Sequence, residues 1–245
     1  MEYSLRYRGF GVLMMAVGLM LLAELLWTSP VNAAPKPWQG TVATESLNVR
    51  SSPSSKAPSV AVLQQGQPIT VVGWVTGEEV EPTNNIWAVL GEGRYVYSDL
   101  IRRDLPEGPP PLPDGVSFQG RWIDVNITQQ LLTAYEGSKP VRVMVISSGR
   151  PDHPSPQGVH HIIRRVQNAT MDSRSAPWIR DSYRLENVLY TQYFNEYGAA
   201  LHLAYWKRDD SFGIPTSHGC VGMRLKDAEW LWNWAQLGTP IYLHP

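Results

Sequence analysis

The chain has 245 residues, 21 Lys and Arg against 22 Asp and Glu, and a formal net charge of −1. This length allows one or two domains with a sizeable core, and the near-neutral balance excludes a nucleic-acid reading, which calls for a basic patch. A hydrophobic content of 43% with 18% charged residues is ordinary for a globular protein.

The chain opens with Arg6 and Arg8, then an apolar stretch from Gly9 that continues past Glu24 to Trp27. Val31-Asn32-Ala33 follows as a small-x-small cleavage site. This is the pattern of a secretory signal peptide over residues 1–34. An uncleaved membrane anchor is the alternative, disfavoured by Glu24, since a carboxylate within the bilayer is costly. Either way the bulk of the chain is expected outside the cytoplasm, in the periplasm or cell wall. With a single cysteine, Cys220, no intramolecular disulfide can form.

Residues 40–103 read as five short strands, which suggests a small barrel. Val60 to Leu63 and Ile69 to Val75 are β-branched runs, the second bounded by Gly66-Gln67-Pro68 and by Gly77. Leu47-Asn48-Val49-Arg50-Ser51-Ser52-Pro53 and Gly93-Arg94-Tyr95-Val96-Tyr97-Ser98 resemble the opening and closing strands of a bacterial SH3 domain. The resemblance implies a wall-binding module over residues 35–105, with Trp74, Trp87, Tyr95 and Tyr97 as aromatic candidates; a spacer that only positions the second half of the chain is the plainer reading. Residues 106–116, rich in proline, read as a semi-rigid linker.

Residues 117–245 read as a second domain, mostly β with one C-terminal helix. Ile123, Val125 and Ile127 alternate with Asp124 and Asn126, and residues 130–135 follow as the second arm of a hairpin. Residues 141–146 form a buried strand candidate and 159–166 another. His160-His161 invites a metal reading, but no third ligand lies at a convincing spacing, so no metal site is expected. Residues 167–185 read as polar and irregular, a flap. Residues 188–194 and 199–205 read as strands around a turn, with His202 in the second. The helix spans residues 225–237, with Asp227 in its first turn and Gly238 and Pro240 after it. Residues 241–243 form a last strand. His153 and His244 are read as surface residues without a role.

The chemistry concentrates in Thr216-Ser217-His218-Gly219-Cys220-Val221-Gly222-Met223-Arg224. A lone cysteine is most often a small buried hydrophobe. Here it follows the turn residues Gly213-Ile214-Pro215 and sits in a polar stretch, so a reactive thiol is the sharper reading. A nearby imidazole can take the thiol proton and lower the cysteine pKa to about 3.5–7.5. Gly219 removes bulk beside the sulfur, so backbone N–H groups of Gly219 and Cys220 can meet a substrate oxyanion. Ser217 can orient an imidazole as the third group of a triad does.

Ser217-His218-Gly219-Cys220, with His202 sixteen residues before His218, resembles the signature of the L,D-transpeptidase (YkuD-type) family. Arg121-Trp122-Ile123-Asp124-Val125-Asn126, Val145-Ile146-Ser147-Ser148-Gly149 and Ser155-Pro156-Gln157-Gly158 resemble its further elements. Two places depart from the pattern. Gly222 stands where the family usually has arginine, with Arg224 two places later, and Leu203 stands where a glycine often follows the histidine.

The resemblance implies Cys220 as nucleophile, His202 as general base and acid, His218 as a supporting group, and Ser217, Gly219 and Arg224 as substrate or oxyanion support. Which histidine takes the proton stays open at this level. It implies acyl transfer from a peptidoglycan tetrapeptide stem to an amine, giving a cross-link, without metal or cofactor. Hydrolysis instead gives an L,D-carboxypeptidase, and a wall-binding protein with an incidental thiol is the non-enzymatic rival. A papain-like peptidase is disfavoured, because there the cysteine precedes its histidine by a long stretch.

Overall fold

The computed structural model describes residues 37–82, 84–103, 105–107, 115–116, 118–175 and 182–245. The expected signal segment, and all but the ends of the expected linker, lie outside these residues. Residues 34–245 belong to one compact unit. Among the described residues no helix is long and apolar enough to cross a membrane.

Among the described residues the first half is built of strands, with one short 3-10 helix at Ser98–Leu100. It runs β1 (Trp38–Val42), β2 (Ser46–Arg50), β3 (Ser59–Gln64), β4 (Pro68–Val71), β5 (Gly73–Glu81), β6 (Asn84–Gly91), β7 (Arg94–Tyr97) and β8 (Ile101–Arg102). These form two sheets, ordered β4-β1-β8 and β3-β2-β7-β6-β5. Eight strands stand where five were expected. Trp38, read as preceding the first strand, starts β1 and is fully buried. The run expected to end at Gly77 splits at exposed Val72 and then continues through Gly77 to Glu81. Gly77 is therefore a packing glycine: a Cβ there would lie 2.3 Å from the Pro53 carbonyl oxygen. Trp87 and Tyr97 belong to the interior, at 2% and 5% exposure, which leaves Trp74 and Tyr95 as the partly exposed aromatics of the four.

The second half opens with the expected hairpin, β9 (Arg121–Asn126) and β10 (Leu131–Glu136), followed by β11 (Lys139–Val145). The expected strand over 159–166 is two, β12 (Gly158–His161) and β13 (Arg164–Asp172). At Ile162 and Ile163 the chain leaves one sheet for another. Ile162 exchanges backbone bonds with Gly238 and Thr239, and Ile163 N–H donates to the Tyr193 carbonyl. Part of the segment expected to be irregular is regular: residues 167–172 and 184–185 lie in strands, because β13 and β14 (Arg184–Tyr193) pair as a long antiparallel hairpin, and residues 176–181 lie outside the described residues. Polar residues alternate along a two-stranded arm with little to cover it, so the composition resembles a loop. β15 (Ala200–Leu203), β16 (Val221–Met223), α1 (Leu225–Trp234) and β17 (Pro240–His244) complete the chain. The two sheets are ordered β11-β10-β9-β17-β12 and β13-β14-β15-β16.

The core joins Ile123, Val125, Leu132, Met144, Leu201, Val221 and Met223 from the sheets to Ala228 and Leu231 of α1. The helix stops three residues before its expected end, where Ala235 turns extended. Asp227 in its first turn is buried and accepts from Arg142 Nη2 at 2.7 Å. His244 and Asp124 also differ from their surface and outward readings. Asp124 is buried and its Oδ1 lies 2.9 Å from His244 Nε2. Burial raises the Asp124 pKa, and the His244 bond opposes that rise.

Candidate active site

The site forms where two strands run parallel. β15 and β16 pair with Leu201 beside Val221, His202 beside Gly222 and Leu203 beside Met223. Continuing that register by one residue sets Cys220 beside Ala200, and the sulfur does engage the Ala200 backbone in a hydrogen bond. Side chains alternate along a strand, so Cys220 and His202 share one face of the sheet. The Cys220 Sγ also lies 3.8 Å from the Gly198 carbonyl oxygen, in the turn that enters β15.

The turn bearing the cysteine is closed by Ser217. Its hydroxyl donates to the Cys220 carbonyl at 2.5 Å and accepts from Gly219 N–H at 3.1 Å. Ser217 thus shapes the turn rather than orienting a ring, and the Gly219 amide is committed to it. Gly219 has φ +114°, a conformation that side-chain-bearing residues rarely adopt. The turn is also tied from outside. Ser217 N–H donates to the Ser148 carbonyl, Arg150 N–H to the Ser217 carbonyl, and Ser147 exchanges both backbone bonds with Gly222.

The two candidate histidines occupy different surroundings. His202 is 3% exposed, and its Nδ1 lies 2.8 Å from the Leu203 carbonyl oxygen. A carbonyl accepts only, so Nδ1 carries the hydrogen and Nε2 is the basic nitrogen. Burial pushes the His202 pKa down to about 4, against the Leu203 bond. His218 is half-buried, with its ring 5.3 Å edge-on from His153 and 5.2 Å from Tyr183.

His153 is therefore part of the site, not a bare surface residue. Its side chain is 15% exposed, Arg150 Nε donates to its Nδ1 at 3.2 Å, and Asp152 lies beside it. Tyr183 was legible only as part of a polar segment. Burial, then the nearness of Cys220, pushes its hydroxyl up to about 12.

The thiol differs from expectation as well. Burial pushes Cys220 up to about 11, opposed by the bond with the Ala200 backbone. A lowered value requires a fixed cation near the sulfur, and His202 is neutral at pH 7. The resting pair is thus a thiol and a neutral imidazole.

Arg224 lies apart from this constellation. Its guanidinium donates to the Asp209 carbonyl at 2.7 and 3.0 Å and stacks over Phe212. It anchors the loop between β15 and the cysteine turn. At the place usually held by arginine, a Cβ on Gly222 would lie 3.0 Å from the Ala204 Cβ. Among the described residues no group of three His, Cys, Asp or Glu has the arrangement of a metal site. His160 packs against Phe194.

Known proteins resemble part of this chain. It is 34% identical over 106 residues to a probable L,D-transpeptidase 3 of Mycobacterium tuberculosis, covering 40% of this chain and 37% of the relative. It is 26% identical over 124 residues to a putative L,D-transpeptidase YciB of Bacillus subtilis, covering 46% and 59%. The chain thus spans about 37–59% of the length of these curated relatives. Among solved structures, an L,D-transpeptidase from Mycobacterium smegmatis aligns with a TM-score of 0.48 at 20% identity, over 65% of this chain and 76% of that one. The model of the YkuD family, described as the L,D-transpeptidase catalytic domain, matches residues 120–243, half of the 245 residues and all of the strands that build the site. The chain belongs to the YkuD family of L,D-transpeptidase catalytic domains.

Proposed function

We propose that this protein transfers a peptidoglycan stem-peptide acyl group through a thioester on Cys220, and that an amine of a second stem resolves it into a cross-link. The observation that carries the reading is the pairing of β15 with β16. It sets the thiol and a buried imidazole on one face, with the imidazole's only acidic nitrogen tied to the Leu203 carbonyl.

The chemistry follows from that tautomer. Cys220 Sγ attacks the carbonyl while its proton passes to His202 Nε2, since neither group is charged beforehand. The Cys220 N–H, next to the committed Gly219 amide, faces the developing oxyanion. Collapse expels the amine of the terminal residue, which takes the proton from Nε2. The incoming amine attacks the thioester, gives its proton to Nε2, and the leaving thiolate recovers it. Water in place of the amine gives carboxypeptidase activity. His218, packed between His153 and Tyr183, forms the opposite wall and orients the substrate.

Two finer parts of the reading rest on sequence. Residues 1–34 direct export to the periplasm or wall, or hold the chain at the membrane. The SH3-like first half engages the wall, with Trp74 and Tyr95 as the aromatic surface.

The test is incubation of purified protein with disaccharide-tetrapeptide and analysis of the products. A cross-linked dimer with release of the terminal residue is expected, and a trimmed stem alone identifies a carboxypeptidase. A carbapenem should add covalently to the wild type and not to Cys220→Ala. No turnover together with no adduct would leave the wall-binding rival.

A further inference from the structure

The loop between His202 and Cys220 contains a lysine that the acyl-transfer scheme leaves unused. Lys207 Nζ donates to Thr216 Oγ1 at 2.7 Å. Thr216 Oγ1 lies 2.9 Å from Ser147 Oγ, and Ser147 Oγ donates to the Ile214 carbonyl at 2.6 Å. The proton directions are therefore fixed. Ser147 spends its hydrogen on Ile214, so Thr216 donates to Ser147 and accepts from Lys207.

This chain of hydroxyls lies at the root of the cysteine turn. Thr216 directly precedes Ser217, which closes the turn. Ser147 is the residue whose backbone exchanges both bonds with Gly222. One ammonium thus ties the entry of the turn to the strand at its exit. A charge-assisted bond is about twice as strong as a neutral one, and without it Thr216 keeps only its bond to Ser147.

The lysine is largely enclosed, and burial pushes its pKa down to about 8; Asp99 resists that fall and Arg208 adds to it. Phe212 lies 5.8 Å from the ammonium. Asp99 belongs to the short turn Ser98–Leu100 of the first half, so the charge that favours the ammonium comes from outside the second half.

We propose that Lys207 is a positioning residue, which holds Cys220 in register with His202 through Thr216 and Ser147. The proposal rests on the nucleophile reading above, and its readout does not require the acyl substrate. Alkylation of Cys220 by iodoacetamide at pH 7, followed by intact mass, reports how well the thiol is presented to its base. Carbapenem adduct formation is followed in parallel. A wild type that alkylates but takes no carbapenem defeats the acyl-transfer reading and leaves the Lys207 comparison intact.

Lys207→Met is expected to slow alkylation by up to about 10²-fold, the size a misplacement of roughly 1 Å can reach. Thr216→Val should slow it at least as much, since it removes the bonds to both Lys207 and Ser147, and the double variant should be no slower than Thr216→Val alone, because without the hydroxyl Lys207 has no bond there to lose. Lys207→Arg should recover most of the rate, which a mere filler of space would not explain. Thr216→Val reads the same bond from its other end if Lys207→Met does not fold. Wild-type rates in both single variants, or a double variant slowed by the product of the two, would overturn the proposal.

Discussion

The two sides of Cys220 are built on opposite plans. On the strand side, His202 is buried, neutral and fixed by one bond to the neighbouring carbonyl. On the loop side, His218 is half-buried and held by ring contacts with His153 and Tyr183. A backbone bond inside a sheet fixes one tautomer and one ring orientation. Ring contacts fix a place for the second ring beside the thiol. The strand side is thus suited to handling a proton, and the loop side to shaping a wall.

Five measurements break or sharpen this contrast. The largest effect belongs to the atom both sides share: Cys220→Ala should lower cross-linking at least about 10⁴-fold in a product assay. His202→Gln should follow at about 10²–10⁴-fold, the usual size of general-base removal. His218→Gln should cost only about tenfold in the same assay, mostly in KM, because it loosens a wall. Equal losses for the two histidines would erase the contrast.

The fourth measurement is stability against pH. His202 has a folded value near 4 against 6.5 for the free side chain. Between those values the unfolded chain binds the proton and the folded one does not, so stability falls as pH drops from 6.5 toward 4. The loss should be on the order of 3 kcal/mol across that window. Urea midpoints at pH 7 and pH 4.5 should move less in His202→Gln than in the wild type. The smallest effect comes from farther away. The Trp38 indole donates to the Gly213 carbonyl at 2.7 Å, in the loop that leads to the cysteine turn. Trp38→Phe leaves that buried carbonyl unpaired and should lower stability by about 1–3 kcal/mol in urea unfolding.

Much of this was readable from residue order alone. The turn residues before the lone cysteine marked the turn that Ser217 closes, and the alternation of Ile123 and Val125 announced the opening hairpin. What sequence did not convey was the sign of the thiol's shift. That sign depends on how the folded chain buries the sulfur, and Tyr183, close enough to feel Cys220, lies 37 residues earlier in the chain. The role of His153 was hidden for a similar reason, since its partner His218 is adjacent only after the loops around Gly149 and Ser217 bridge. Asp124 follows the outward phase of its strand by alternation, yet His244 on the neighbouring β17 offers it a partner and lets it be buried. Periodicity reports which side of a strand faces the core; it does not report a polar pair that fills the same place.

The bond between Trp38 and Gly213 also bears on how such chains diversify. A glycine at 213 is required twice over: its φ is +97°, and a Cβ would lie 2.2 Å from the Arg103 Cβ. The front sheets therefore cannot be exchanged like beads on a string. A transplanted neighbour would have to bring its own indole and its own arginine, or the loop feeding the thiol would inherit an empty socket. Recombination between relatives should then tolerate breakpoints after the loop far better than breakpoints between the halves.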